Sequence, residues 1–230
     1  MTTSVAECFR RTYLLERCSE AVSADWVVPS MATEAERIVG LYQRHADDWD
    51  RERGRNLLEK PWLDRLLALL EPNSSILDVG CGSAEPIASY FIEKDCDVTG
   101  VDSSLPLIEI CKNRFPDQNW IVADMRELSL DRRFDAILAW DSFFHLCPED
   151  QRRMFPSFSR HSAPQAALMF TSGPSHGEAI GTYKSELLYH ASLGEAEYRS
   201  LLDQNGFDVV SHVVEDPTCG QHTVWLAKLR

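Results

Sequence analysis

The segment Ser75-Ile76-Leu77-Asp78-Val79-Gly80-Cys81-Gly82-Ser83-Ala84-Glu85-Pro86 restricts the fold more than any other stretch of the chain. A short apolar run, strand-like in length, passes into two glycines and then a helix start, with Pro86 suited to the first helical turn. Glycine at 80 and 82 permits a tight turn and lets a ligand approach the backbone. In an open α/β sheet, ligands bind in the crevice at the carboxyl ends of the strands, where such a turn would lie.

The flanking sequence repeats the same alternation. Strands are predicted over residues 75–79, 97–101, 119–123, 134–140 and 166–172, with helices over 85–94, 105–115 and 149–161. A further helix over 195–205 is opened by Ser192-x-x-Glu195 and closed by Gly206. Strands over 207–214 and 222–228 have no helix between them and should pair antiparallel. The expected fold is α/β: a Rossmann-like, mostly parallel seven-stranded sheet with helices on both faces and an antiparallel last strand.

One domain is expected over 31–230, with 31–72 forming N-terminal cap helices. The first of these takes Thr33 as N-cap and Glu36 as its capping-box partner; the second covers 57–70 and stops at Pro72-Asn73. Residues 1–30 carry no sustained periodicity and read as a poorly ordered or peripheral extension, or an upstream start. Residues 173–193, beginning Gly173-Pro174-Ser175-His176-Gly177, have a mobile loop's composition and read either as a substrate lid or as a surface excursion.

Composition removes several function classes. A net charge of −13 argues against a nucleic-acid partner, because Arg51, Arg53 and Arg55, Arg132-Arg133 and Arg152-Arg153 all sit among carboxylates. The seven cysteines (Cys8, Cys18, Cys81, Cys96, Cys111, Cys147, Cys219) show neither Cys-x-x-Cys pairs nor a disulfide spacing, so no metal site is expected. No apolar run approaches the roughly 18 residues of a membrane span, and charges interrupt the N-terminal region where a signal peptide would be apolar. A cytoplasmic protein with a small-molecule substrate is the expectation; nothing here fixes its oligomeric state.

Two acids give the glycine turn its meaning. Asp102, with Ser103 beside it, ends the next strand, where a carboxylate can accept from both ribose hydroxyls. Asp124 ends the third strand, placed to accept from an adenine amino group, while Met125 offers the ring a soft apolar cover. Asp78-x-Gly80-x-Gly82, Asp102 and Asp124 resemble the successive cofactor motifs of class I S-adenosylmethionine-dependent methyltransferases, and 134–140 resembles the fourth. The resemblance runs from about Tyr42 to the C-terminus. Tyr42, Trp49 and Arg53 are similar to the leading helix that closes over the cofactor in small-molecule members.

The resemblance implies that Asp78 and the Gly80–Gly82 backbone hold the methionine portion of S-adenosylmethionine, that Asp102 holds the ribose, and that Asp124 and Met125 hold the adenine. Trp140 would line the strand end near the sulfonium. One departure is Ala84, where the family's third glycine usually stands; its methyl is tolerable if the backbone there stays helical.

Asp141 and His145, in the segment after the fourth strand, are the candidate catalytic groups, although residues so placed are more often structural hydrogen-bond partners. Two other functions compete with methyl transfer. One is a cofactor-binding scaffold or sensor without transfer activity. The other is a nicotinamide-dependent oxidoreductase, disfavoured because Glu85 occupies its third glycine position and would repel a pyrophosphate.

Overall fold

Alternation of apolar residues decides which face of the sheet each strand covers. The computed structural model describes residues 31–230, with side chains from Glu34 onward; the extension expected over 1–30 lies outside the described residues. Seven strands form one sheet: β1 (Ser75–Val79), β2 (Asp97–Asp102), β3 (Asn119–Val122), β4 (Phe134–Ala139), β5 (Ser162–Ser172), β8 (Phe207–Asp216) and β9 (His222–Leu229). Their spatial order is β3-β2-β1-β4-β5-β9-β8. The first five run parallel, while β9 pairs antiparallel with both β5 and β8.

Ile76, Val98, Leu138, Met169 and Leu226 cover one face. There they pack against α3 (Lys60–Leu67), α4 (Ile87–Glu93) and α5 (Leu105–Arg114) through residues such as Trp62, Phe91 and Ile108. Leu77, Val101, Ile137, Phe170 and Trp225 cover the other, against α6 (Pro148–His161) and α7 (Glu195–Gln204). On that second face Phe143 touches Phe155, Phe158, Phe170 and Tyr198, and each such buried ring contributes about 1.5–3 kcal/mol. The expected doubly covered sheet is therefore present, and its crossovers deliver the ends of β1, β2 and β4 to one rim.

The cap differs in detail from the expectation. Helix α1 (Met31–Arg44) already includes Thr33, which is therefore not its N-cap. A second short helix, α2 (Ala46–Glu52), follows at once, and the predicted 57–70 helix shortens to α3 with turns on either side.

The larger difference concerns 173–193, where the expected loop contains a two-stranded ribbon, β6 (Gly177–Tyr183) and β7 (Glu186–Ser192). Lys184 and Ser185 both have positive φ, 50° and 65°, which makes the connection a type I′ turn without its usual Asn-Gly signal. The ribbon's apolar side chains, Tyr189 and Ala191, pack on Ile38 of α1, a partner some 150 residues away in sequence. At the ribbon tip Lys184 pairs with Glu52 of α2 at 2.5 Å, while Arg44 and His45 both pair with Glu186.

Candidate active site

The site begins where β1 stops. Gly80 and Gly82 have φ of 80° and 56°, conformations that cost other residues about 1–2 kcal/mol. The turn folds back so that the N–H groups of Gly80 and Cys81 both donate to the Val101 carbonyl, at 2.7 and 3.0 Å. A Cβ on Gly80 would stand 2.2 Å from the Cβ of Ser142, so this glycine lets the ends of β1 and β4 meet. Ser142 completes the junction by donating its hydroxyl to the Val79 carbonyl at 2.6 Å.

Ala84 corrects the expectation made for it. Its φ is 69°, so the backbone there is left-handed rather than helical, and its buried methyl occupies a position that favours glycine. Pro86 caps α4 rather than entering its first turn.

Asp102 ends β2 facing the turn. Its Oδ2 accepts from the Gly82 N–H at 3.0 Å and its Oδ1 from the Ser104 N–H at 2.8 Å. Burial pushes its carboxyl up to about 6 despite those two donors. Asp78 is more perturbed: burial, then the nearby Asp102 charge, raise it to about 7, and no cation opposes them among the described residues. A site with an uncompensated carboxylate and free carboxylate lone pairs suits a ligand bearing hydroxyls and an ammonium.

All of the residues proposed from sequence line one cleft of about 1050 Å³, its open mouth included. Asp78, Gly80, Gly82, Asp102, Ser103, Asp124 and Met125 form its β1–β3 side. Tyr42, Trp49, Arg53, Trp140, Asp141 and His145 form the other.

Four contacts in or behind this cleft go beyond the sequence expectations. Arg126 grips Asp124 through Nε (3.0 Å) and Nη2 (2.6 Å), so that carboxylate offers an adenine amino group less than expected. Burial would raise Asp124, but the Arg126 bonds win and hold it low. The Asp124-x-Arg126 spacing could have announced this pair.

Arg114 of α5 clasps Asp50 of α2 at 2.6 and 2.5 Å and reaches the Ser83 carbonyl, tying the cap to the glycine turn. Glu85 pairs with Arg55 at 2.8 Å, which largely removes the charge argument against a pyrophosphate. The fourth is His222 on β9, whose Nε2 lies 3.0 and 3.1 Å from the two oxygens of Asp141.

His222 must be an imidazolium. Its Nδ1 faces the Cys219 carbonyl at 2.6 Å and its Nε2 faces a carboxylate, so both nitrogens need hydrogens. Burial opposes the charge, but Asp141 outweighs it and raises His222 to about 11. Asp141, itself at a φ of 48°, is held low against its burial by His222 and, more distantly, by Arg53.

His145 is the opposite case. Its Nδ1 donates to the Tyr189 carbonyl at 2.8 Å, leaving Nε2 to accept from the Tyr42 hydroxyl at 3.0 Å. Burial lowers it to about 4, so it is neutral, and Tyr42 is pushed well above the usual phenol range, first by burial and then by Asp141. Arg53 donates to Glu59 at 2.7 Å. No group of three His, Cys, Asp or Glu side chains is placed to hold a metal among the described residues.

A sheet in this order with a glycine turn and acids at one rim is the class I methyltransferase architecture, and the comparisons agree. A family model described as "Methyltransferase domain" matches residues 76–165. Over that stretch the chain resembles the class I S-adenosylmethionine-dependent methyltransferases, and its fold is theirs.

It is 32% identical over 138 residues to a malonyl-(acyl-carrier protein) O-methyltransferase of Pseudescherichia vulneris, covering 59% of this chain and 53% of that one. Against a dTDP-3-amino-3,4,6-trideoxy-alpha-D-glucopyranose N,N-dimethyltransferase of Streptomyces venezuelae it is 30% identical over 98 residues, covering 42% and 41%. The chain spans about half the length of the curated relatives it matches. Among solved structures, a Burkholderia thailandensis 1,6-didemethyltoxoflavin-N1-methyltransferase shares its fold with a TM-score of 0.65 at 22% identity, covering 90% of this chain and 93% of that one.

Proposed function

We propose that this chain transfers the methyl group of S-adenosylmethionine to a small-molecule acceptor. The carrying observation is the convergence of Gly80, Gly82, Asp78 and Asp102 on one cleft, with Asp78 buried and lacking a cation. In this reading Asp78 and the turn backbone take the methionine ammonium end, and Arg53 its carboxylate. Asp102 takes the ribose hydroxyls. Met125, with Asp124 shared by Arg126, covers the adenine. Tyr42 and Trp49 close the cap side, and Trp140 lines the sulfonium end.

The bound cofactor supplies an activated methyl on a sulfonium, so the protein's main task is to position the acceptor. His145 is a weaker base than expected, because its free nitrogen is occupied by Tyr42 and burial disfavours its charge. The free thiols of all five described cysteines and the lack of any described helix long and apolar enough to cross a membrane support a cytoplasmic setting.

The deciding experiment is isothermal titration with S-adenosylhomocysteine, with NADH as control. Saturable heat from the nucleoside alone is expected. No heat from S-adenosylhomocysteine would sink the reading.

A further inference from the structure

The cleft beyond the nucleoside has an unusual hydrogen-bond inventory. Tyr42 spends its hydroxyl hydrogen on His145, because His145 Nδ1 is committed to the Tyr189 carbonyl. Ser142 spends its hydroxyl hydrogen on the Val79 carbonyl. Asp141 is a carboxylate held from behind by an imidazolium and within charge range of Tyr42 and His145. Trp140 does carry an unpaired indole N–H, but that atom is sealed within the protein. The side-chain oxygens left at this end, on Tyr42, Ser142 and Asp141, offer lone pairs and no hydrogens. Around them stand the apolar side chains of Ala35, Ile38, Val39 and Leu146.

We infer that the methyl acceptor is a neutral amine on an apolar body, and that Asp141, positioned by His222, selects it. The inference rests on the proposed function, which assigns Arg53 to the cofactor. With Arg53 so engaged and Arg126 paired with Asp124, no free cation among the described residues meets a carboxylate or phenolate acceptor there, and Asp141 repels both. A neutral alcohol would have to lose its proton, and neither His145 nor the ion-paired Asp141 is free to take it.

An amine needs no base. Its lone pair forms the C–N bond as the C–S bond breaks, the C–S electron pair stays on sulfur, and the product ammonium gives its proton to water. Positive charge thus moves from sulfur to nitrogen, towards a carboxylate already in place.

The test uses the whole chain saturated with S-adenosylhomocysteine, whose own binding is titrated first. Aniline, N,N-dimethylaniline and benzoate are then titrated at pH 7.5 by ligand-observed NMR. Aniline should bind about tenfold more tightly than either of the others, the scale of one or two charge-assisted hydrogen bonds. Asp141→Asn should bring the aniline and benzoate affinities close together. Benzoate or N,N-dimethylaniline binding as well as aniline overturns the inference, as does no saturable aniline binding. Failure of S-adenosylhomocysteine to bind marks failure of the underlying reading instead. The wild-type comparison needs no variant, so an Asp141→Asn protein that does not fold leaves it decisive.

Discussion

The two sides of the cleft are built differently. On the β1–β3 side the bonded carboxylates are held from at most 20 positions away: Asp102 by Ser104 and Gly82, and Asp124 by Arg126. On the other side the contacts of the candidate catalytic groups join distant segments. Tyr42 meets His145 across 103 positions, and Asp141 meets His222 across 81. The first side is a local motif that any chain of this topology can carry. The second exists only once the cap, the ribbon and β9 have docked, so it is the side free to differ between proteins sharing the fold.

That contrast breaks most easily at His222. Replacing it with Gln leaves the largely buried Asp141 charge without a counter-ion and should cost about 3 kcal/mol, the lower end for a broken buried pair because both side chains keep some exposure. The sign follows from the raised pKa. The pair's contribution is complete below the ordinary histidine value and is lost as pH rises towards about 11. Urea denaturation of both proteins at pH 6.5 and at pH 10 should therefore show a gap that narrows at the higher pH. An equal gap at both values would mean that His222 acts as packing alone.

On the local side, Asp102→Ala should weaken S-adenosylhomocysteine about a hundredfold, the loss of two hydrogen bonds to an ionised group. Titration calorimetry reads this directly. A variant that binds normally would remove Asp102 from the nucleoside site.

Asp78 sharpens the same side with a smaller effect. Its carboxyl titrates near 7 in the free protein, so an ammonium-bearing ligand should bind about tenfold more tightly at pH 8 than at pH 6. Asp78→Asn should flatten that dependence. Smallest is Ala84→Gly, which relieves a left-handed alanine at some cost in chain entropy; a gain of about 1 kcal/mol or less is expected, read as a rise in thermal midpoint.

The same contrast explains what could be read in advance. The sheet was legible because strands such as 75–79 and 134–139 are short, mostly apolar runs bounded by turn residues, and the acids near the strand ends lie at fixed offsets. The ribbon was not, since glycines at 173, 177 and 181 hide its alternation and its turn lacks an Asn-Gly pair. His222 left no local trace. Its importance comes from β9 lying antiparallel to β5, a pairing that sets Thr223 opposite Ser172 and carries His222 to the end of β4. Ala84 was misjudged for a related reason: a residue's identity does not announce the sign of its φ.

The distance between Asp141 and His222 also bears on how the molecule comes together. A chain growing from its N-terminus makes the carboxylate long before the imidazolium. Until β9 arrives, that acid must stay hydrated or take up a proton, and the cavity around it cannot close dry. Seating of the β9 edge is therefore the event that neutralises this acid, and a newborn chain arrested short of it would carry the glycine turn beside a carboxylate still seeking its partner.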